Sequence, residues 1–301
     1  MRRVSADPAP APAPVVAAVD AQVARTGRIG RTGPTGPTAH PALAAGLRTF
    51  CVAVALALAG AAHAGRSCEE QPPEVSRVQR GLGLALRVAD ALDASGAQVV
   101  VLARAGQDLS RYRLRWSHLG FAYRSEEGWR VVHKLNQCGS DRADLYRQGL
   151  AEFFLDDPHE YRAAYAVLSA QVQERLLPLL RDNARSATLH TAPYSMVAYP
   201  WAQAYQQSNQ WAIETLAFAL EPTAGTRERS QAWLRWKGYE PTVLELGPFT
   251  RLGARMTQAN VAFDDHPNDK RFADRIETVT VDSVFAWLRR SELAQGVREV
   301  R

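Results

Sequence analysis

Two histidines and one serine are the residues whose types and spacing could do chemistry. His118 lies in Trp116-Ser117-His118-Leu119-Gly120-Phe121-Ala122-Tyr123, and His133 in Gly128-Trp129-Arg130-Val131-Val132-His133-Lys134-Leu135. On adjacent antiparallel strands side chains alternate with period two, so the right register brings both imidazoles to one face. One ring can then accept a proton while the other fixes its tautomer. Ser208 follows in Tyr205-Gln206-Gln207-Ser208-Asn209-Gln210-Trp211, ahead of Ile213, Leu216 and Leu220 at helical positions. A nucleophile at a helix N-terminus gains from the positive end of the dipole. The same residues also have plain readings: Ser208 as an N-cap, and both histidines as satisfied side chains of half-buried strands.

The elements that must position these groups are legible in the surrounding pattern. The two runs alternate on either side of Ser125-Glu126-Glu127-Gly128, which predicts a β-hairpin spanning 114–135. Val75 to Leu92 has helical periodicity through Val78, Leu82, Leu86, Ala89 and Leu92 and stops at Ser95-Gly96. Gln98 to Ala103 predicts a buried strand, 141–155 a helix capped by Asp141, 161–168 a strand, and 170–183 a helix containing Pro178. Helices are expected from Ser208 to Leu220, Thr226 to Trp236 and Ser283 to Arg290, with strands at 243–246 and 276–281. Helices and strands interleave without a regular βαβ period, so the expected class is α+β in a single domain.

Other candidates carry less. Tyr199, Trp201 and Trp211, with Tyr194 and Tyr205, could line a substrate groove beside Ser208 or belong to the core. Asp264-Asp265-His266 invites a metal reading, but three consecutive residues ahead of Pro267 fit a structural loop better, so neither a metal nor a cofactor is expected. Arg251 and Arg255 read as a solvated helix face.

The order of these motifs resembles the circularly permuted papain-like hydrolases and acyltransferases. That superfamily includes the lecithin:retinol acyltransferase-like enzymes and relatives of the NlpC-type cell-wall peptidases. The resemblance implies a papain-like antiparallel sheet packed with helices, His118 as base, His133 as orienter, and Ser208 where the family has cysteine, flanked by Gln207 and Asn209. The departure matters because a helix N-terminus can ionise a thiol at neutral pH, whereas a hydroxyl needs a base to take its proton during attack. Over a longer span the chain resembles exported proteobacterial proteins catalogued as domain of unknown function 2145. The stretches that carry this likeness are Ala103-Arg104-Ala105-Gly106-Gln107-Asp108-Leu109-Ser110, the hairpin, Tyr199-Pro200-Trp201, Asn209-Gln210-Trp211, and Asn260-Val261-Ala262-Phe263-Asp264-Asp265-His266-Pro267.

Arg48, the apolar run Phe50 to Ala62, and Ala62-His63-Ala64 follow the charged, apolar, small-residue order of a signal peptide. The expected division is a disordered Ala/Pro/Gly-rich extension over 1–46, read as an over-long start, a signal over 47–64 ending near Ala64, and a mature domain over 65–301. The apolar run is shorter than the roughly 20 residues a membrane span needs, so no transmembrane segment is expected after signal removal. The chain has 36 basic and 31 acidic residues; six Arg and two Asp lie in 1–64, leaving 30 against 29. Nucleic acid is therefore not an expected partner. In an oxidising compartment, Cys68 and Cys138 are expected to form a disulfide, the alternative being a reactive Cys138. The sequence thus predicts a periplasmic or secreted protein whose site is non-catalytic or degenerate and holds a small-molecule, peptide or cell-envelope ligand. The alternative is an amide or ester hydrolase or acyltransferase using Ser208, His118 and His133.

Overall fold

A computed structural model of the chain describes Arg2–Arg3, 74–156 and 158–301. The expected signal peptide, its cleavage point and Cys68 lie outside the described residues, as does all of the expected extension except Arg2 and Arg3.

The centre of the molecule is an antiparallel sheet packed with helices. Its strands are β2 (Val99–Ala105), β3 (His118–Ser125), β4 (Gly128–Asn136), β5 (Ala143–Gly149), β6 (Glu160–Val167) and β9 (Arg298–Val300), and the two residues of β1 (Arg2–Arg3) pair at one edge. The order across the sheet is β1-β5-β4-β3-β2-β6-β9. Central β2 is buried on both faces, as its continuous apolar run requires. Val99, Val101, Ala103 and Ala105 point to one side and Val100 and Leu102 to the other. The β3–β4 hairpin closes at Ser125↔Gly128, with Gly128 at φ 105, which a side chain would strain.

Each face of the sheet has its own cover. One is packed by α1 (Val75–Ala94) and α2 (Leu150–Leu155), through Leu84, Val88, Leu92, Phe153 and Phe154. The expected helix at α1 is present, but its buried stripe is Gly81, Leu84, Ala85, Val88 and Leu92, while Leu82 and Leu86 face solvent. Gly81 decides this: a Cβ there would lie 2.8 Å from the Leu155 side chain, so the glycine side is the one that can press against α2.

The opposite face carries the larger core, with α3 (Ala170–Arg181), α5 (Ser208–Leu220), α6 (Arg227–Trp236) and α9 (Val281–Arg290); the short α4 (Asn183–Ala187) follows α3. Trp211, Ile213 and Leu216 of α5 join Phe121, Val132 and Trp287 there. From Ser208 to Ala217 every residue of α5 is buried, which fits a helix enclosed on all sides.

Outside the main sheet, β7 (Thr242–Glu245) and β8 (Arg275–Thr278) form a two-stranded ribbon, accompanied by α7 (Pro248–Thr257) and α8 (Asn268–Phe272). This corner has a small core of Leu244, Leu246, Phe263 and Ile276. Arg251 does not make the expected solvated face, because its guanidinium reaches Asp274 Oδ1 at 2.5 Å and the carbonyl of Leu246. Arg255 is exposed.

The largest local correction concerns 141–155. The expected single helix is a strand, β5, followed by α2, because β5 completes its ladder with β4 from Arg130↔Gly149 to Asn136↔Ala143. Pairing energy along a whole strand outweighs the weak helical periodicity of ADLYRQG, and Gly149 marks the switch as the residue ahead of α2. The hairpin's first strand starts at His118 rather than Leu114. The expected strand over 276–281 ends at Thr278, since Thr280 caps α9 by accepting from Ser283 N.

Candidate functional site

The two imidazoles share a face, and a third side chain completes the row. His118 Nε2 lies 2.8 Å from His133 Nδ1, and His133 Nε2 lies 2.8 Å from Gln148 Oε1. The register produces this row. Val131 pairs with Gln148 and His133 with Tyr146, so His133 and Gln148 are diagonal neighbours on adjacent strands. Gly120 stands against His133, and a Cβ at Gly120 would fall 2.8 Å from the His133 Cβ. Glycine is therefore what lets the second ring lie close to β3.

Donor and acceptor bookkeeping fixes the protons along the row. Gln148 Oε1 only accepts, so His133 carries its proton on Nε2 and presents a bare Nδ1. That nitrogen in turn accepts from His118 Nε2–H. His118 Nδ1 is left unprotonated, and no hydrogen bond to it is made among the described residues.

Both rings are held neutral. Burial is the main cause for each, and the Arg104 guanidinium, paired across β2 and β3 at Arg104↔His118, adds to it. His118 is lowered well below the usual imidazole value, with a further contribution from His133; His133 is lowered to about 3. Phe153 packs against both rings, tilted with its centroid 5.9 Å from His118 and edge-on 5.1 Å from His133. Arg104 itself donates to the carbonyl of Phe153 and pairs with Asp156.

Ser208 reaches the same cleft from elsewhere. It is the first residue of α5, and the cap is Gln207, whose Oε1 accepts from Asn209 N at 3.1 Å. The plain reading of Ser208 as the N-cap is thus corrected by one position. Ser208 lies beside buried Tyr194, where its hydroxyl and backbone N–H partly offset the upward push that burial gives that phenol. No hydrogen bond joins Ser208 to His118 among the described residues.

The flanking amides are committed to the scaffold. Gln207 Nε2 donates to Thr278 Oγ1 at 3.0 Å and to the carbonyl of Val279. Asn209 Oδ1 accepts from Leu119 N at 3.1 Å, and its Nδ2 donates to Val279 O at 3.3 Å. Together they bolt the start of α5 to β3 and to the end of β8.

His118, Ser208, Gln207, Asn209 and Tyr194 line one cleft of about 620 Å³, together with Leu114 and Trp116 ahead of β3, Asn136 at the end of β4, and Leu244, Leu246, Val261 and Phe263 of the β7–β8 corner. On α7, Thr250 and Ala254 face the cleft, while Phe249, Leu252 and Met256 point to solvent. Four of the expected aromatic groove residues are not on this lining, and one of them, Tyr205, donates instead to Asp264. Trp211 is fully buried against Phe121, Trp201 packs on Tyr239, and Tyr199 lies against His266. Their apolar bodies are needed where the helices meet. Exposed Cys138 sits on the cleft rim.

Asp265 and His266 form a structural clasp. Asp265 Oδ2 accepts from Tyr199 N at 2.7 Å, and His266 spans Asp265 Oδ1 at 2.9 Å and Glu277 O at 3.0 Å. No cluster that could hold a metal ion occurs among the described residues.

Sequence reasoning missed Gln148, Arg104 and the apolar corner. Gln148 was hidden by the helical reading of β5; alternation with His133 across a third strand was the signal that could have found it.

A family model described as "Uncharacterized protein conserved in bacteria (DUF2145)" matches residues 91–288. No curated protein and no solved structure matches the chain. Apart from Tyr199-Pro200-Trp201, each stretch that carries the family likeness contributes to the cleft lining. Gly106 N and Gln107 N both donate to Ser117 Oγ beside His118, at 2.8 and 3.1 Å, and Asn260 Nδ2 donates to Asn136 Oδ1 on the far rim at 2.9 Å.

Proposed function

Since the chain belongs to the DUF2145 family, whose description carries no activity, we propose from the cleft itself that the protein is an exported binding module with a degenerate hydrolase-like site. The observation that carries this reading is the sidedness of the groups. His118 shares the face of Arg104 and Phe153, under α1 and α2, whereas α5 packs on the opposite face with Leu119 and Phe121. Base and hydroxyl thus approach the cleft from two sides of the sheet, and the hydroxyl sits beside Tyr194.

The electrostatics support the same conclusion. A general base for serine needs a conjugate acid that forms readily near neutral pH. Here burial and Arg104 oppose the imidazolium, and the row ends in a neutral amide rather than a carboxylate. A helix N-terminus cannot make up the difference for a hydroxyl.

Export is part of the proposal. It rests on the signal-like segment, and with export goes a disulfide that we propose between Cys68 and Cys138. The papain-like scaffold is retained as the reading of the hairpin and helix order, with its base turned away from the helix.

The test is a fluorophosphonate probe followed by peptide mapping, with chromogenic esters of several chain lengths. The expected result is no labelling of Ser208, and ester turnover in the parent no higher than in Ser208→Ala. Labelling of Ser208 that disappears in His118→Ala would sink the binding-module reading in favour of the hydrolase.

A further inference from the structure

Resting on the cleft as a binding site, we propose that its ligand is an uncharged amphiphile, with an apolar chain or ring against the β7–β8 corner and a neutral head donating an N–H or O–H to His118 Nδ1. Three observations converge on this chemistry.

The first is the division of the cleft. Leu114, Leu244, Leu246, Val261 and Phe263 form one continuous apolar wall, while the other end is made by His118, Tyr194, Ser208 and the start of α5. A volume of about 620 Å³ suits a small molecule, since such sites hold roughly 300–1,000 Å³.

The second is what remains unclaimed at the polar end. The side-chain amides of Gln207 and Asn209 are spent on Thr278, Val279, Leu119 and the helix start. Ser208 sits beside the buried Tyr194 phenol. His118 Nδ1 is the acceptor left over by the chain His118–His133–Gln148. A ligand with a donor completes that chain, whereas one without a donor buries the nitrogen unpaired, and burying an unmatched polar group is costly.

The third is charge. Among the described residues, the only charged side chains on the lining are Arg104 and Asp156, and they pair with each other. A carboxylate, phosphate or ammonium head would lose its hydration with no counter-charge to meet it. That disfavours phospholipid head groups and charged peptides.

The experiment uses protein recovered after export of the full chain and follows binding by calorimetry with four ligands of one chain length. These are N-decanoyl ethanolamide, methyl decanoate, decanoate and decyltrimethylammonium. The amide is expected to bind at least about tenfold more tightly than either charged ligand and more tightly than the donor-less ester. In His118→Phe the preference of amide over ester should vanish. Ala254→Trp, which fills the apolar end from α7, should weaken the amide without involving His118; Leu114→Asn serves the same purpose if that variant does not fold. Equal or tighter binding of decanoate or of the ammonium overturns the proposal, as does an unchanged preference in His118→Phe, or no binding by any of the four. Ser208 labelling and ester turnover are read separately, so tight charged ligands without turnover would remove this inference and leave the binding module standing.

Discussion

His133 and Lys134 are neighbours on β4, both with no solvent exposure, and they organise opposite sides of the sheet in different ways. His133 belongs to a neutral row across β3, β4 and β5. Lys134 enters an ionic cluster: its Nζ donates to Thr191 O at 2.7 Å and Gln206 Oε1 at 2.8 Å, Gln206 donates to Glu214, and Glu214 takes Arg227 at 2.9 Å and Gln231 at 2.7 Å. The cluster ties β4 to the distant run of the 189–206 segment, α5 and α6, with which β4 shares no backbone ladder. The histidine row joins three strands that their ladders already hold. Polar groups buried where they are not needed to hold the fold together are candidates for function, so the ionic side builds the cleft and the neutral side serves it.

The sharpest test of that contrast is to break the ionic side. Arg227→Met leaves Glu214, which has no exposure, without its cation, and uncovering one partner of a buried pair costs about 3–5 kcal/mol. Urea denaturation should show a loss in this range. A loss below about 1 kcal/mol would mean that the cluster is not what holds the approach to α5.

Next in size is Gly120→Ala. The new Cβ would meet His133 Cβ at 2.8 Å, with Val131 Cγ1 and Val132 O at 3.0 Å, and overpacking of this kind costs about 1–3 kcal/mol. The same substitution pushes the second ring off the first, so the amide preference of the cleft should fall along with stability. Loss of stability with intact preference would show that the row does not prepare His118.

Titration gives the third expectation, about 2 kcal/mol from His133 at pH 5. The folded His118 and His133 are depressed, whereas in the unfolded chain they titrate near 6.5. Below that value the unfolded state binds protons that the folded state refuses, so stability falls progressively as pH drops from 6.5 toward about 3, the value reached by His133. The slope of stability against pH across 4–6.5 should shrink in His133→Asn. His190, lowered to about 4 mainly by burial, contributes a remainder that persists in the variant. Equal slopes in parent and variant would show that the row is not the pH-sensitive part.

What could be read in advance follows from which forces are local. The hairpin, the span of α5, and the pairing of the two imidazoles on one face are set by alternation and by Gly128, all visible within a few residues. β5 was misread because a strand that contributes Gln148 only through its neighbours looks helical in isolation. The buried stripe of α1 was misjudged because a glycine, not the largest side chains, determines which side comes close. The sidedness of His118 and Ser208 was not legible at all: each lies at the start of its element, and only the packing of α5 on one face and α2 on the other reveals which way each group comes. The apolar corner was hidden for the same reason, since Leu244, Phe263 and Leu114 meet only in three dimensions.

The smallest effect separates two neighbouring residues at the start of α5. Gln207 supplies the cap through its Oε1 and holds Thr278 and Val279 through its Nε2, so Gln207→Ala should cost at least about 1 kcal/mol, the loss of an N-cap alone. Ser208→Ala removes a buried hydroxyl that does not cap the helix, so the change should be smaller, about 0.5 kcal/mol. Thermal melts of the two variants side by side decide the matter. A serine variant that loses more than the glutamine variant would make Ser208 the cap after all. The hydroxyl would then have a structural role, and the cleft would lose the residue that makes it look like a former hydrolase.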